Sequence, residues 1–324
     1  MSTARDRLSV VLLAGGVGGA KMAEGFHHCD RCDLTVISNV ADDDEFHGLW
    51  VSPDTDTMLY TLSDRIDLNQ GWGVKDEGKR ALAVLDELGQ PTWMTLGDRD
   101  LGLHIYRTNS LSQGVGRQDI CDNICKAFGL ETRIILPTED VIQTQIKTDD
   151  GWLSFQEYFV RERCQPEVRE IAIRDIGLAN PNPAAVEALS AADLVVIAPS
   201  NPLVSIEPIL GIGNIREIVK KLATPVVAVS PLVGGKAVKG PLDRMMQAGG
   251  MDVSTEAIAS LYRGLIDILV VDHQDFHQTY CEAAPGIKIE AAPTLLKNRS
   301  DKINLANRLI DLALKSDGGD VLYG

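Results

Sequence analysis

Positive charge is the first thing this chain is short of: 31 Lys and Arg face 46 Asp and Glu, a formal net charge of −15. That balance excludes wholesale binding to nucleic acid or an anionic membrane surface, so any anionic ligand depends on backbone amides, a metal ion or a few local cations. Long apolar runs are missing as well. None approaches the roughly 20 residues of a membrane span, and the N-terminus "MSTARDRLSVVLLAGG" enters a strand without a signal-peptide cleavage pattern. The expectation is a cytoplasmic protein. Cysteine is sparse and scattered, with Cys29, Cys32, Cys121, Cys125, Cys164 and Cys281 spread over 324 residues. A chain of this length buries a core without staples, so free thiols are expected. The segment "HHCDRC" (His27–Cys32) lacks the second ligand pair that a zinc site requires. No G-x-S-x-G elbow is present, which argues against acyl-transfer chemistry.

What the chain does have is a glycine-rich turn directly after its first apolar run. In "SVVLLAGGVGGAKMAEGF" (Ser9–Phe26), four glycines fall within five positions: Gly15, Gly16, Gly18 and Gly19. A strand, a glycine turn and a helix together make a phosphate site. Neither common fingerprint fits, because the third glycine of G-x-G-x-x-G falls on Lys21, and Lys21 lies between Ala20 and Met22 rather than in a G-K-[ST] triplet.

Four more apolar runs, near Ile37, Ile197, Ala228 and Val270, also end in polar turns. Uninterrupted runs of this kind suit strands buried on both faces, and helical stretches fall between them: Gly19–His27, Pro53–Arg65, Gly78–Leu88, Gln118–Phe128, Pro183–Ala191, Asn214–Leu222, Ser254–Leu265 and Lys302–Leu314. The fold class is α/β, a doubly wound, mostly parallel sheet whose polar turns meet beyond the strand carboxyl ends. Around Asp149-Asp150-Gly151 the chain instead alternates apolar and polar residues, which is a hairpin signature. Residues 139–175 are therefore read as a small β-rich insertion within a single elaborated domain, 1–324.

Acidic residues cluster at the expected strand ends. Asp42, Asp43, Asp44 and Glu45 follow the second strand, and Asp98 and Asp100 sit in "TLGDRDLGLHIYR". Asp54 and Asp56 occupy the first turn of a helix that Ser52 caps and Pro53 opens. Grouped carboxylates near a phosphate turn suit Mg²⁺, a hard cation that takes oxygen ligands. Asp42 and Asp56 are the leading metal ligands, with Asp54 a third candidate. The turn "APSNPLVSI" offers Ser200 and Asn201 to phosphate or ribose oxygens, and "SPLVGGKAVKGP" offers Gly234 with Lys236. With Gly15, Gly16, Gly18 and Lys21, these complete a candidate nucleotide-diphosphate site.

In this order, "AGGVGGAK", "SNVADDDEFHGLWVSPDTDTMLYTLSDRID", "GWGVKDE", "LGDRDLGLHIYR", "FQEYFV", "APSNPLVSIEPIL" and "AVSPLVGGKAVKGP" resemble the 2-phospho-L-lactate transferases that build the deazaflavin coenzyme F420. The resemblance implies a Rossmann-like core with a small extra lobe, Mg²⁺ and a homodimer. It also implies transfer of a phospholactyl, phosphoenolpyruvyl or phosphoglyceryl group from a guanosine diphosphate-linked acid to the primary hydroxyl of the deazaflavin Fo, releasing GMP. In that family the positions matching Asp56 and Thr95 contact Fo; the resemblance makes Asp56 or Asp98 the candidate to take the proton of its hydroxyl, and Trp72 or Trp50 the candidate wall for its flat ring. Two other readings compete. A nucleotide-sugar-binding regulator of the gluconeogenesis-factor type shares the glycine turn and the sheet but not "SPDTDT" or "LGDRD". A nicotinamide dehydrogenase expects one ribose-binding carboxylate after the second strand, where this chain has a dense cluster.

Overall fold

The computed structural model describes residues 7–277 and 285–317. In chain order its strands are β1 (Leu8–Ala14), β2 (Cys32–Ser38), β3 (Asp44–Phe46), β4 (Leu49–Val51), β5 (Arg133–Ile135), β6 (Gln143–Thr148), β7 (Gly151–Ser154), β8 (Glu170–Arg174), β9 (Leu194–Ile197), β10 (Val226–Val229), β11 (Ile268–Val271) and β12 (Lys288–Ala291). Seven of them form one sheet in the order β12-β11-β10-β9-β1-β2-β5, with every neighbouring pair parallel. Helices flank it, as the α/β reading expects. β9, β10 and β11 are the runs LVVI, VVAV and ILVV, buried at every position, which is the pattern of strands covered on both faces.

The five apolar runs picked out from the sequence are all in this sheet. The two outermost strands, β5 (RII) and β12 (KIEA), lie beyond that reading, because edge strands are short and keep polar residues. β1 sits where the order reverses: the chain proceeds through β2 and β5 on one side, then crosses to β9 and runs outward through β12. Doubly wound sheets open a crevice at such a switch point.

Three helices bear on that crevice, α1 (Gly16–His27), α2 (Pro53–Leu62) and α4 (Asp98–Ser112), while α3 (Arg80–Glu87) lies outside its lining. α1 begins three residues earlier than expected, so Gly16, Gly18 and Gly19 belong to its first turn rather than to a free loop. α2 starts at Pro53 as expected, but Ser52 does not cap it; its hydroxyl donates to Asp43 Oδ2 at 2.8 Å. α4 has no counterpart among the expected helices. Its buried side chains are Leu103, His104, Arg107 and Ser110, three of them polar, so no apolar stripe marks it.

Residues 143–174 carry the small antiparallel sheet β7-β6-β8, turned at Asp149-Asp150 with Thr148 opposite Gly151. Ile146, Phe155, Tyr158 and Val168 pack there against Val204 and Met245, which fastens this sheet beside the β9 end of the crevice. Five cysteines, Cys29, Cys32, Cys121, Cys125 and Cys164, are free thiols, and Cys281 lies outside the described residues.

Candidate active site

Beyond the carboxyl ends of the central strands lies a cleft of about 660 Å³, within the size range of ligand sites. Its first wall is the β1–α1 turn. Gly15 is extended (φ −151°, ψ 160°) and brings no side chain to cap α1; the Gly16 N–H meets the Asp54 carboxylate, and the rest of the first turn lines the cleft with Val17 and Gly18. The glycines are needed for packing. A Cβ on Gly19 would stand 2.9 Å from both Ala14 Cβ and Ser200 Oγ, and one on Gly18 would collide with the Pro199 carbonyl oxygen. The turns after β1 and β9 therefore meet backbone to backbone.

Ser200 and Asn201 line the cleft, but their polar atoms are largely committed. Ser200 Oγ donates to the Gly15 carbonyl at 2.7 Å and accepts from the Gly15 N–H at 3.1 Å, which pins the glycine turn to β9. Asn201 Oδ1 accepts from Leu203 N at 2.9 Å and opens the helical turn Pro202–Ile206. Lys21 also faces the cleft, and burial together with the nearby charges of Lys302 and Lys239 lowers its pKa.

The acidic wall separates by partner. Asp43 turns away from the cleft: Arg117 Nη2 donates to its Oδ2 at 2.6 Å, as do the Ser52 hydroxyl at 2.8 Å and Trp50 Nε1 at 3.2 Å. Trp50 is thereby part of this buried ion pair and outside the cleft lining. Asp42 points into the cleft at 4 % exposure, and its Oδ1 has no hydrogen-bond partner among the described residues. Asp54, also facing the cleft, accepts from Asn39 Nδ2 at 2.9 Å. Burial raises the Asp42 pKa well above the carboxylate range, with the Asp54 charge adding to it, and burial pushes Asp54 up to about 6.

Asp56 is held differently. Arg107 forks onto it, Nη2 to Oδ1 and Nη1 to Oδ2, while Ser52 N donates to Oδ2 at 3.3 Å. Beside it, His104 and Asp100 from α4 and Tyr60 from α2 complete the floor, and Tyr60 Oη donates to Asp100 Oδ1 at 2.5 Å. Burial alone would raise the Asp100 pKa, but the bonds to His104 and Tyr60 hold it below the usual range. Asp56, Asp100 and His104 each bring a ligand atom within 4.8 Å of the others, close enough to hold a metal ion. His104 and Arg107 were absent from the sequence reading; their spacing of three along "DLGLHIYR" was the only available signal.

The opposite wall is apolar. Phe155 and Phe159 stack with centroids 5.6 Å apart and planes at 4°, and Phe159, Val160, Met94 and Thr95 all reach the cleft. Trp72 lines the cleft from its mouth, 43 % exposed. Three expected site residues lie elsewhere. The amides of Gly234 and Gly235 donate to Asp275 at 2.8 and 2.6 Å, so that turn is occupied by the protein's own carboxylate. Lys236 is solvent-exposed outside the cleft lining, where Lys239 takes its place. Asp98 accepts from Ala81 N at 3.1 Å and from Arg80, holding the start of α3, and does not reach the cleft.

The chain matches the family model described as 2-phospho-L-lactate transferase CofD over residues 10–298. It belongs to the CofD family. Among curated relatives, the 2-phospho-L-lactate transferase of Methanopyrus kandleri is 36% identical over 307 residues, covering 94% of this chain and 97% of that protein. The phosphoenolpyruvate transferase of Streptomyces griseus is also 36% identical, over 313 residues, covering 94% and 98%. A solved Bacillus halodurans structure shares the fold at a TM-score of 0.63 and 15% identity, covering 94% of this chain and 99% of that one. The CofD-family match makes this chain a transferase acting on small molecules, and its cleft is where the family's reaction would have to fit. No described helix is long and apolar enough to cross a membrane.

Proposed function

We propose that this CofD-family transferase acts in coenzyme F420 biosynthesis, moving a phospholactyl, phosphoenolpyruvyl or phosphoglyceryl group from a guanosine diphosphate-linked donor to the hydroxyl of Fo and releasing GMP. The observation that carries this reading is the two-sided cleft. One side presents an uncapped helix start, Lys21 and a buried carboxylate pair, while the other presents the Phe155–Phe159 stack. The first side suits a diphosphate and the second a planar deazaflavin ring.

The Asp42–Asp54 pair fits Mg²⁺. Both carboxylates are buried at the phosphate side, burial raises both of their pKa values, and Asp42 Oδ1 has no hydrogen-bond partner among the described residues. When bound, the ion would neutralise charge developing on the diphosphate oxygens. The chain's own groups do the rest. The amides of the α1 start and Lys21 hold the donor phosphates, and the aromatic side chains Phe159 and Trp72 pack on the acceptor ring. Asp56, a buried carboxylate that lines the same cleft, orients the attacking hydroxyl. Attack on phosphorus needs this positioning and charge stabilisation more than it needs a covalent nucleophile.

Family membership favours the transferase over the nucleotide-sugar-binding regulator. Relatives named for the phospholactyl and the phosphoenolpyruvyl reactions match equally well, so direct assay has to choose the acid. Purified protein is given Fo, Mg²⁺ and each guanylated acid in turn, with chelated controls, and the products are identified by mass spectrometry. GMP release with one acid, abolished by chelation, is the expected result. No release with any of the three, together with binding of a nucleotide sugar, would replace this reading by the regulator.

A further inference from the structure

We infer that Arg107 and His104 are positioning residues that fix Asp56 for the reaction, and that Asp56, Asp100 and His104 belong to a brace of polar contacts centred on Arg107 rather than to a metal centre. This inference rests on the transferase reading above. Asp56 is 4 % exposed, and both of its oxygens are taken up by the Arg107 fork and the Ser52 amide. A two-point fork fixes the plane of a carboxylate, whereas a single ammonium would leave it free to rotate.

Arg107 is itself fixed from behind. Its Nη1 lies 3.3 Å from His104 Nδ1 and 3.4 Å from the Trp50 carbonyl oxygen. A guanidinium has no acceptor, so Arg107 donates, His104 Nδ1 accepts, and the ring proton sits on Nε2; Nε2 lies 3.3 Å from Asp100 Oδ1 without hydrogen-bond geometry, a contact of charge and dipole. Tyr60 Oη closes the series by donating to Asp100. The side chains Tyr60, Asp100, His104, Arg107 and Asp56 thus form one line of contacts joining α2 to α4 beneath the cleft. His104 is fully buried and Arg107 is 6 % exposed, so water does not compete for these bonds.

The same geometry argues against a cation at the three close ligands. A dication between Asp56, Asp100 and His104 would stand against the guanidinium that already contacts two of the three, and like charges at that range in a buried site repel strongly. Asp42 and Asp54 have no ion-pair partner among the described residues, so the cation's place is with them.

The test is a double-mutant cycle on the full chain. Arg107→Lys keeps the charge and removes the fork; it is expected to lower kcat about 100-fold while the donor KM stays within about threefold. Asp56→Asn is expected to lose at least as much, and the double variant no more than Asp56→Asn alone. Losses that multiply in the double variant, or a wild-type kcat in Arg107→Lys, overturn the inference. If Arg107→Lys proves too unstable to assay, His104→Phe and His104→Gln take over. The first should lose about tenfold in kcat and the second should recover part of it; a wild-type kcat for His104→Phe overturns the inference. Mn²⁺ titration provides a readout that needs no turnover. His104→Phe and Asp100→Asn should bind Mn²⁺ as the wild type does, and the loss of an ion in either overturns the brace. A wild-type protein that turns over no donor would sink the transferase reading instead, and the Mn²⁺ result would still judge the brace.

Discussion

Gly15→Ala probes how tightly the phosphate turn and the acidic wall are joined. Gly15 has an extended backbone that any residue adopts, so the substitution adds no conformational strain. Its new Cβ would stand 2.5 Å from Asp54 Oδ2, 2.8 Å from Ser205 Cβ and 3.0 Å from Asn39 Cβ. Ordinary contact begins at 3.4 Å, so the Asp54 carboxylate has to retreat by about 0.9 Å, taking its Asn39 partner with it. Misplacement on the order of 1 Å at a reacting centre costs roughly 100-fold in rate, and overpacking of this kind costs about 1–3 kcal/mol of stability. GMP release followed by chromatography should show kcat falling by about two orders of magnitude, with a melting temperature only a few degrees lower. Gly89→Ala separates the two effects. Gly89 has φ +73° with no atom within 4 Å of a Cβ, so alanine there costs about 1–2 kcal/mol in backbone strain without touching the cleft. A Gly15→Ala kcat within threefold of wild type, or an equal kcat loss in Gly89→Ala, would refute the reasoning.

Three further outcomes are expected. Asp54 is pushed up to about 6, so in chelated protein its ionisation opposes the fold: stability falls as pH rises from about 4 to about 6, by about 3 kcal/mol, and stays lower above that. Melting curves across this range should show the fall in wild type, its reduction in Asp54→Asn, where Asp42 alone still resists ionisation, and its reversal by Mg²⁺; parallel curves for wild type and Asp54→Asn would contradict the assignment. Phe159→Ala removes half of the stacked pair and should raise the acceptor KM about tenfold while sparing the donor KM, measured by varying each substrate in turn. Asp98→Ala frees the start of α3 and should lower the melting temperature with turnover close to wild type; a collapse of kcat at normal stability would restore Asp98 to the chemistry.

Much of the architecture was legible because burial on both faces leaves a strong mark. Runs such as VVLL and LVVI have one stable placement, the middle of a parallel sheet, and the glycine turn after the first of them has to lie at its carboxyl end. The motif order "AGGVGGAK", "SPDTDT" and "LGDRD" was likewise enough to indicate the family, and the CofD match agrees with it. Edge strands β5 and β12 escaped notice because three or four residues of mixed polarity do not differ from a loop.

By itself the sequence determined the five inner strands of the sheet, the acidic helix start and the family. Only the tertiary structure decided which carboxylates are neutralised and which face the cleft alone. In "ADDDE", adjacent residues part company: Asp43 meets Arg117, 74 residues away, while Asp42 meets no cation among the described residues. Asp56 and Asp54, two positions apart, differ because Arg107 reaches only one of them. The turn "PLVGGK" was spent on Asp275, some 40 residues later. The physical reason is common to all three. Hydrophobic periodicity is local and can be read along the chain, whereas pairing in a buried site depends on angstrom-scale approach between distant segments, and α4, which brings Arg107, carries a polar inner face that no apolar pattern reveals.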